Sequence, residues 1–380
     1  MSESIYLTVV IPTYNERKYL YDTLETLASQ DYPKDRYELL VVDGRSTDDT
    51  SDTVERFISE HPEVNVRLLD NPRRLSSGAR NVGVRAASGR LVAVIDGHVY
   101  VPNRHLFAKM EQLKERFQAL CLARPAPMLV PGLGKDLAVW IALARKSWMG
   151  HSVNSHIYST RQGFVDPISS GFAYDRQVFE LVGHFDETFD AAEDVEFNYR
   201  LSQMGVRAYT APELTIYSYP RGSLRGLFDQ MVRYGAGRAR FLRKHVRAFT
   251  KETLVPPAVF AFFATLPLTA LLFRKVPAVG VACALAFVAY LMAALSTGFS
   301  SAPKRRRWLG GPMIALAIFV SHMGLGWGFL KTVFLPRSLL ERRYPEENVP
   351  PQSGGTHKEL ASNCCVSRVG DAGHERASSQ

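Results

Sequence analysis

Over the first hundred residues, short unbroken apolar runs alternate with segments whose apolar side chains recur at helical spacing. Residues 6–12, 38–43, 64–69 and 91–96 read as strands. Residues 16–29, with Leu20, Leu24 and Leu27 on one face, 49–58, with Val54, Phe57 and Ile58, and 77–87 read as helices. A strand without polar alternation has to be covered on both faces, so the pattern predicts a mostly parallel, Rossmann-like sheet between two helical layers. Ligands of such sheets bind beyond the carboxyl ends of the strands. The residues that follow those ends, 13–16, 43–48 and 96–98, are largely polar. From 117 to 219 the alternation loosens: 170–174, 207–210 and 214–219 read as strands and 194–204 as a helix. This stretch is expected to complete the same α/β unit.

The hydropathy then changes character. Residues 224–251 are basic and are expected to form an interfacial helix. Three uncharged stretches follow, 254–273, 276–303 and 308–330, separated by Arg274-Lys275 and by the basic run 304–307. Twenty helical residues rise about 30 Å, the thickness of a bilayer core. The expectation is therefore an α/β domain over 1–222, basic amphipathic helices over 223–252, an α-helical transmembrane region over 253–335 and a polar, disordered tail over 336–380. Pro256, Pro257 and Pro267 leave a re-entrant or kinked first segment as the alternative to a straight one. Two crossings would return the run 304–307 to the side of the α/β domain, which the positive-inside tendency makes cytoplasmic. A third would carry Arg337, Arg342 and Arg343 outward, against that tendency.

Composition narrows the reading further. Hydrophobic residues at 46% exclude a wholly disordered chain. Of the net charge of +9, nine Lys/Arg against two acids lie between Arg221 and Glu252. A basic run that abuts apolar segments points to an anionic lipid surface and away from nucleic acid. Four cysteines do not make a disulfide framework; Cys121, Cys283 and the Cys364-Cys365 pair are expected as thiols. The first four residues are polar and lead straight into a strand, so no signal peptide is expected.

Several strand-end residues carry candidate chemistry. Asp96 and His98 are spaced to reach one hard divalent cation, although Asp96 as a cap of the next turn is an equal alternative. Asp43 either accepts hydrogen bonds from a nucleobase or forms the turn Asp43-Gly44-Arg45-Ser46. Arg73, Arg74 and Arg80 are placed to pair with phosphates or to form a solvated face. Glu193, Asp194 and Glu196 open a helix, where the dipole favours acids; one of them over the metal site would instead serve as a base. Ser170-Gly171-Phe172 reads as an acceptor-side loop or a tight turn. The loops 151–156 and 163–171 are expected to shape the pocket.

Taken in order, Val9-Val10-Ile11-Pro12-Thr13-Tyr14-Asn15-Glu16, Val41-Val42-Asp43-Gly44-Arg45-Ser46-Thr47-Asp48, Gly78-Ala79-Arg80-Asn81, the strand ending at Asp96, and Glu193-Asp194 closely resemble the family 2 glycosyltransferases over about residues 5–245. The segment Gln230-Met231-Val232-Arg233-Tyr234 ahead of apolar helices is similar to the membrane-anchored succinoglycan and exopolysaccharide subgroup, and to the Q-x-x-R-W motif of polysaccharide synthases with Tyr for Trp. The resemblance implies a GT-A fold and inverting transfer from a nucleotide sugar, UDP-linked by likeness. It implies that Pro12, Thr13, Tyr14, Glu16, Asp43, Arg80 and Asp96 line the nucleotide site, and that Asp96 and His98 hold Mn²⁺ or Mg²⁺. It also implies Asp194 as general base supported by Glu193, and Gln230, Arg233 and Tyr234 at the diphosphate or acceptor. The usual V-D-D-G-S lacks its second acid here, and the usual D-x-D is Asp96-Gly97-His98.

The expected function is transfer to a lipid-linked saccharide at the cytoplasmic face of the cell membrane, with a bilayer as partner. The alternatives are a processive synthase and a non-catalytic scaffold. Oligomeric state is not legible in the sequence.

Overall fold

The computed structural model describes residues 5–129, 137–151, 156–158, 160–272 and 276–334. The first four residues, most of the 151–156 loop, the tail from 335 onward and with it Cys364 and Cys365 lie outside the described residues.

The first half alternates as the hydropathy predicts: β1 (Leu7–Thr13), α1 (Arg17–Ala28), β2 (Tyr37–Asp43), α2 (Thr50–Glu60), β3 (Val66–Asp70), α3 (Ser76–Ala86) and β4 (Leu91–Val94). Then come β5 (Val99–Tyr100), α4 (Leu106–Phe117), β6 (Cys121–Ala123), α5 (Leu137–Lys146), β7 (Gly163–Val165), β8 (Gly171–Asp175), α6 (Gln177–Val182), α7 (Glu193–Gln203), β9 (Ala208–Thr210) and β10 (Tyr217–Ser218). The main sheet has the order β3-β2-β1-β4-β8-β6-β9-β7. Strands β3, β2, β1 and β4 are mutually parallel, β8 runs against both β4 and β6, and β7 runs against β9. Strand neighbours on β1 divide between two cores: Leu7, Val9 and Ile11 enter one helical layer, Val10 the other. Both faces are thus dry, which is why the strands read as continuous apolar runs.

Three local expectations are corrected. The fourth strand stops at Val94, which frees Ile95–His98 as a loop. The run 214–219 starts on the last residue of a 3₁₀ turn, Pro212–Leu214, and then holds only the two-residue β10, paired with β5 away from the main sheet. Of the readings of Ser170-Gly171-Phe172, the strand over 170–174 is the one observed, and the acceptor loop or tight turn is not: Gly171 begins the buried strand β8. A side chain there would press on Asn198 of α7, so the glycine serves close packing of helix on sheet.

The C-terminal part consists of α8 (Leu224–Lys244), α9 (Val255–Leu272), α10 (Pro277–Ser301) and α11 (Arg307–Phe334). Helix α8 ends at Lys244, seven residues before the expected 251, in two 3₁₀ turns. Two helical segments, Pro277–Ser301 and Lys304–Phe334, are long and apolar enough to cross a membrane. They differ in surroundings. Helix α10 leaves Val279, Val281, Leu285, Val288, Leu291 and Met292 exposed, an apolar surface that water does not favour. Helix α11 buries Ile314, Ala317 and Ile318 against Trp140 and Ile141 of α5 and Leu227 and Met231 of α8. Helix α5, which hydropathy left unmarked inside the α/β segment, therefore belongs to the packing of the C-terminal helices. Glycines bring the backbones together: a methyl group at Gly235 would overlap the Leu325 carbonyl, and one at Gly328 the Val232 carbonyl.

A buried charge cluster fastens α7 to the end of α8. The Glu196 carboxylate, fully buried, accepts from Arg200, from Lys244 Nζ at 2.7 Å and from His245 Nε2 at 3.0 Å; Lys244 also reaches Asp186 at 2.5 Å. Burial alone would raise the Glu196 carboxyl, but the hydrogen bonds and charges of Arg200, Lys244 and His245 outweigh it and hold the group below its ordinary value. A depressed folded value contributes stability above the unfolded carboxylate range and loses it as pH falls through that range. Glu196→Gln is expected to cost about 1–3 kcal/mol at neutral pH. Thermal unfolding of wild type should drop on acidification below about pH 4.3, and the variant should drop less; parallel curves would show that Glu196 contributes nothing.

Candidate active site

The cleft lies where the carboxyl ends of β1, β2 and β4 meet the first turn of α7. Thr13 ends β1 and Asp43 ends β2, and the two are register partners in the sheet. The buried Asp43 carboxylate accepts from Ser46 N at 2.9 Å, Ser46 Oγ at 2.5 Å, Thr13 Oγ1 at 3.3 Å and Ser51 Oγ at 3.4 Å. It organises the loop after β2, while Asn15 clasps the same loop from the other side, donating to Ser46 and accepting from Thr47 N. Pro12 precedes these groups in β1, and Tyr14 projects from the loop with 47% of its surface exposed. Arg45 takes a left-handed φ of 57° where the family pattern has Gly, and pairs outward with Asp70 at 3.1 Å. At Gly44, the position of the missing acid, a side chain would meet the Arg74 backbone at 3.1 Å, so the loop after β3 has closed into that space.

Asp96 and His98 project from the loop after β4. His98 Nδ1 lies 2.9 Å from Glu16 Oε1. Burial would lower the His98 imidazole, but the Glu16 hydrogen bond and the charges of Glu16 and Asp96 outweigh it and raise it. Asp96 faces Arg80; burial would raise its carboxyl, and Arg80, His98, Arg124 and Arg221 together hold it below the ordinary value.

Arg80, on α3, is the hinge of the arrangement. Its Nη2 stands 3.1 Å from Glu193 and 3.9 Å from Asp96. One guanidinium therefore joins residues nearly a hundred positions apart. Ala192 adopts φ 66° ahead of α7, turning Glu193 inward and Asp194 to the half-open side. The three acids that open α7 have three separate fates. Buried Glu193 neutralises Arg80, with burial and the neighbouring Asp194 raising its carboxyl against the pull of that arginine. The Asp194 carboxylate accepts from Val195 N at 2.9 Å. Glu196 enters the cluster with Lys244. The charges of both Asp96 and Asp194 act on Arg80 and on Arg124.

Arg124 and Arg221 are site residues that the sequence reading missed. Arg124 directly follows β6, and its guanidinium lies 5.4 Å from the Phe172 ring centre with a buried Nη1 that has no partner among the described residues. The signal was available: it is the first residue past a strand end, as Asp96 nearly is. Of the α8 residues, Gln230 Nε2 donates to Tyr234 Oη at 3.4 Å. Tyr234 feels the charges of Asp96 and Asp194. Arg233 turns away from the carboxylates of the cleft and donates to the Asp190 carbonyl at 3.0 Å. Gly237 packs on the Ala191 carbonyl, where a methyl would overlap. Helix α8 thus braces the turn that presents Glu193 and Asp194.

Among the described residues no three His, Cys, Asp or Glu side chains form a metal cage. The donor set fits a cation held by few protein ligands and completed by phosphate oxygens and water, as is common for Mg²⁺. Asp96 offers oxygen, and a Glu16-bound Nδ1–H would leave His98 Nε2 free, the carboxylate–histidine pattern that orients metal-bound imidazoles.

Comparison with known proteins agrees with this geometry. Residues 8–182 match the family described as glycosyl transferase family 2. The succinoglycan biosynthesis protein ExoA of Rhizobium meliloti is 31% identical over 333 residues, covering 84% of this chain and 93% of that protein. The dolichyl N-acetyl-alpha-D-glucosaminyl phosphate 3-beta-D-2,3-diacetamido-2,3-dideoxy-beta-D-glucuronosyltransferase of Methanococcus voltae is 29% identical over 243 residues, 63% of this chain and 74% of that one. In fold, the chain is similar to the mannosyltransferase PcManGT of Pyrobaculum calidifontis, solved with GDP-Man and Mn²⁺, with a TM-score of 0.52 at 22% identity, over 86% of this chain and 87% of that one. The chain belongs to glycosyl transferase family 2: it is a glycosyltransferase of GT-A fold.

The bracing by α8 has a measurable consequence. Gly237→Ala should push the 190–192 turn and lower kcat on the order of tenfold to 10²-fold, with nucleotide KM nearly unchanged; an unaltered kcat would show that the turn does not depend on α8.

Proposed function

We propose that this family 2 glycosyltransferase transfers one sugar, with inversion, from a UDP-linked donor to a lipid-linked saccharide at the membrane surface. The observation that carries the reading is the Arg80 guanidinium, in reach of both Glu193 and Asp96. It brings the strand-end acid and the first turn of α7 to one cleft. Pro12, Thr13, Tyr14, Glu16 and Asp43 would border the nucleotide, with Asp43 fixing the loop that receives the base. Asp96 and His98 would hold the divalent cation, Mn²⁺ or Mg²⁺, which supplies charge neutralisation at the diphosphate when bound.

In the reaction, Asp194 accepts the proton of an acceptor hydroxyl. That oxygen forms the new bond to the anomeric carbon as the bond to the diphosphate breaks on the opposite face, and nucleoside diphosphate leaves. Asp194 suits this role because Glu193 neutralises Arg80 and leaves Asp194 on the half-open side. Arg80 and Arg124 offer positive charge beside the departing phosphate. Gln230 and Tyr234 border the acceptor side, and Arg233 keeps the catalytic turn in place.

The lipid-linked acceptor is supported by the exposed apolar surface of α10, by the basic α8 that packs on α11, and by relatives named for succinoglycan synthesis and for a dolichyl phosphate substrate. The proposal includes a multi-pass protein of the cell membrane with its catalytic domain in the cytoplasm, the run 304–307 lying on that side.

Asp194→Asn, checked for folding and nucleotide binding, should lower transfer on the order of 10²–10⁴-fold; near-normal transfer would remove Asp194 from this role. Product analysis should find a single sugar added per acceptor, whereas long products from one encounter would establish a processive synthase instead.

A further inference from the structure

A second cationic cluster lies beyond Tyr234. Met231, Tyr234 and Arg238 are three and four residues apart and share a face of α8. Arg145, near the end of α5, lies along that face: its Nη1 donates to Met231 Sδ at 3.2 Å and its guanidinium is 5.9 Å from the Tyr234 ring centre. Arg145 and Arg238 are within electrostatic reach of each other, as are Arg145 and Tyr158. Neither guanidinium pairs with a carboxylate among the described residues, and Arg145 Nε is buried without a hydrogen-bond acceptor. Arg145 is half-buried and Arg238 exposed, and two like charges this near each other repel unless an anion lies between them.

The position of the pair says which anion. Helices α5 and α8 pack with α11 in one apolar cluster, so the arginines sit on the side of the C-terminal helices. Tyr234, whose ring centre is 5.9 Å from the Arg145 guanidinium, is also within electrostatic reach of Asp96 and Asp194 and so links the pair to the cleft. Nucleotide phosphates would lie on the Asp96 side, beside Arg80 and Arg124. An anion at Arg145 and Arg238 would approach from the apolar helices.

We propose that Arg145 and Arg238 form a site for the phosphate or diphosphate of a lipid carrier, holding its saccharide toward Asp194 across Tyr234. This deepens, and rests on, the reading of the protein as a transferase to lipid-linked acceptors.

The test titrates the full-length protein with phosphatidylcholine vesicles containing undecaprenyl diphosphate, undecaprenol, or phosphatidylglycerol at matched charge, with UDP affinity measured in parallel. Wild type should prefer the undecaprenyl diphosphate vesicles about tenfold over both others. R145Q/R238Q should lose that preference and keep UDP affinity within about twofold, and R145K/R238K should recover part of it. The proposal is overturned if the Gln variant keeps the preference, if phosphatidylglycerol or undecaprenol vesicles bind equally well, or if UDP affinity falls in step, which would assign the arginines to the donor. A wild-type protein that binds the diphosphate lipid through these arginines but neither binds nor hydrolyses nucleotide sugars would keep this site and remove the transferase reading.

Discussion

The cleft depends on one buried cation. Arg80 is the group that lets three carboxylates, Asp96, Glu193 and Asp194, stand together without expelling one another. Placing several acids in a poorly solvated cleft is unfavourable unless a fixed positive charge compensates them. Arg80 is itself carried on α3, whose Asn81 donates to the Phe185 carbonyl and to Glu187, so the helix is tied to the chain that leads into α7. The compensation is asymmetric. Glu193 is paired with the arginine and buried, and the adjacent Asp194 stays on the half-open side.

Helix α8 converts that local arrangement into a property of the whole molecule. One side braces the turn before α7 through Arg233 and Gly237. Another lies on α11, where Gly235 and the glycines of α11 allow backbone-to-backbone approach. The buried Glu196 cluster fastens the far end. Among the described residues, direct packing joins the turn before α7 to α8 and α8 to α11, so the cleft is held against the C-terminal helices.

The departures from the family pattern also find a physical account. The absent second acid after β2 coincides with Gly44, pressed by the Arg74 backbone. Arg45, at the position of the pattern's glycine, accepts a left-handed backbone and is held there by Asp70. The replacement of the second acid of D-x-D by His98 is matched by Glu16, which supplies the neighbouring carboxylate through the imidazole. Charge removed from one position is thus available from another loop of the same cleft.

By itself the sequence determined the strand-helix alternation through β4, the strand-end location of Asp43, Asp96 and Glu16, and the apolar character of the C-terminal third. Each follows from local periodicity, because a strand buried on both faces and an apolar helix leave their mark residue by residue. It left α5 unmarked, placed a strand over 214–219 and left Ser170-Gly171-Phe172 open between strand, loop and turn, because short elements take their state from neighbours distant in the chain. Only the tertiary structure decided which of the three acids of α7 faces the cleft, that Arg124 and Arg221 join it, and that Arg233 turns to Asp190. Those outcomes rest on the direction of a side chain after a left-handed residue and on the proximity of segments a hundred residues apart, and spacing along the chain carries neither.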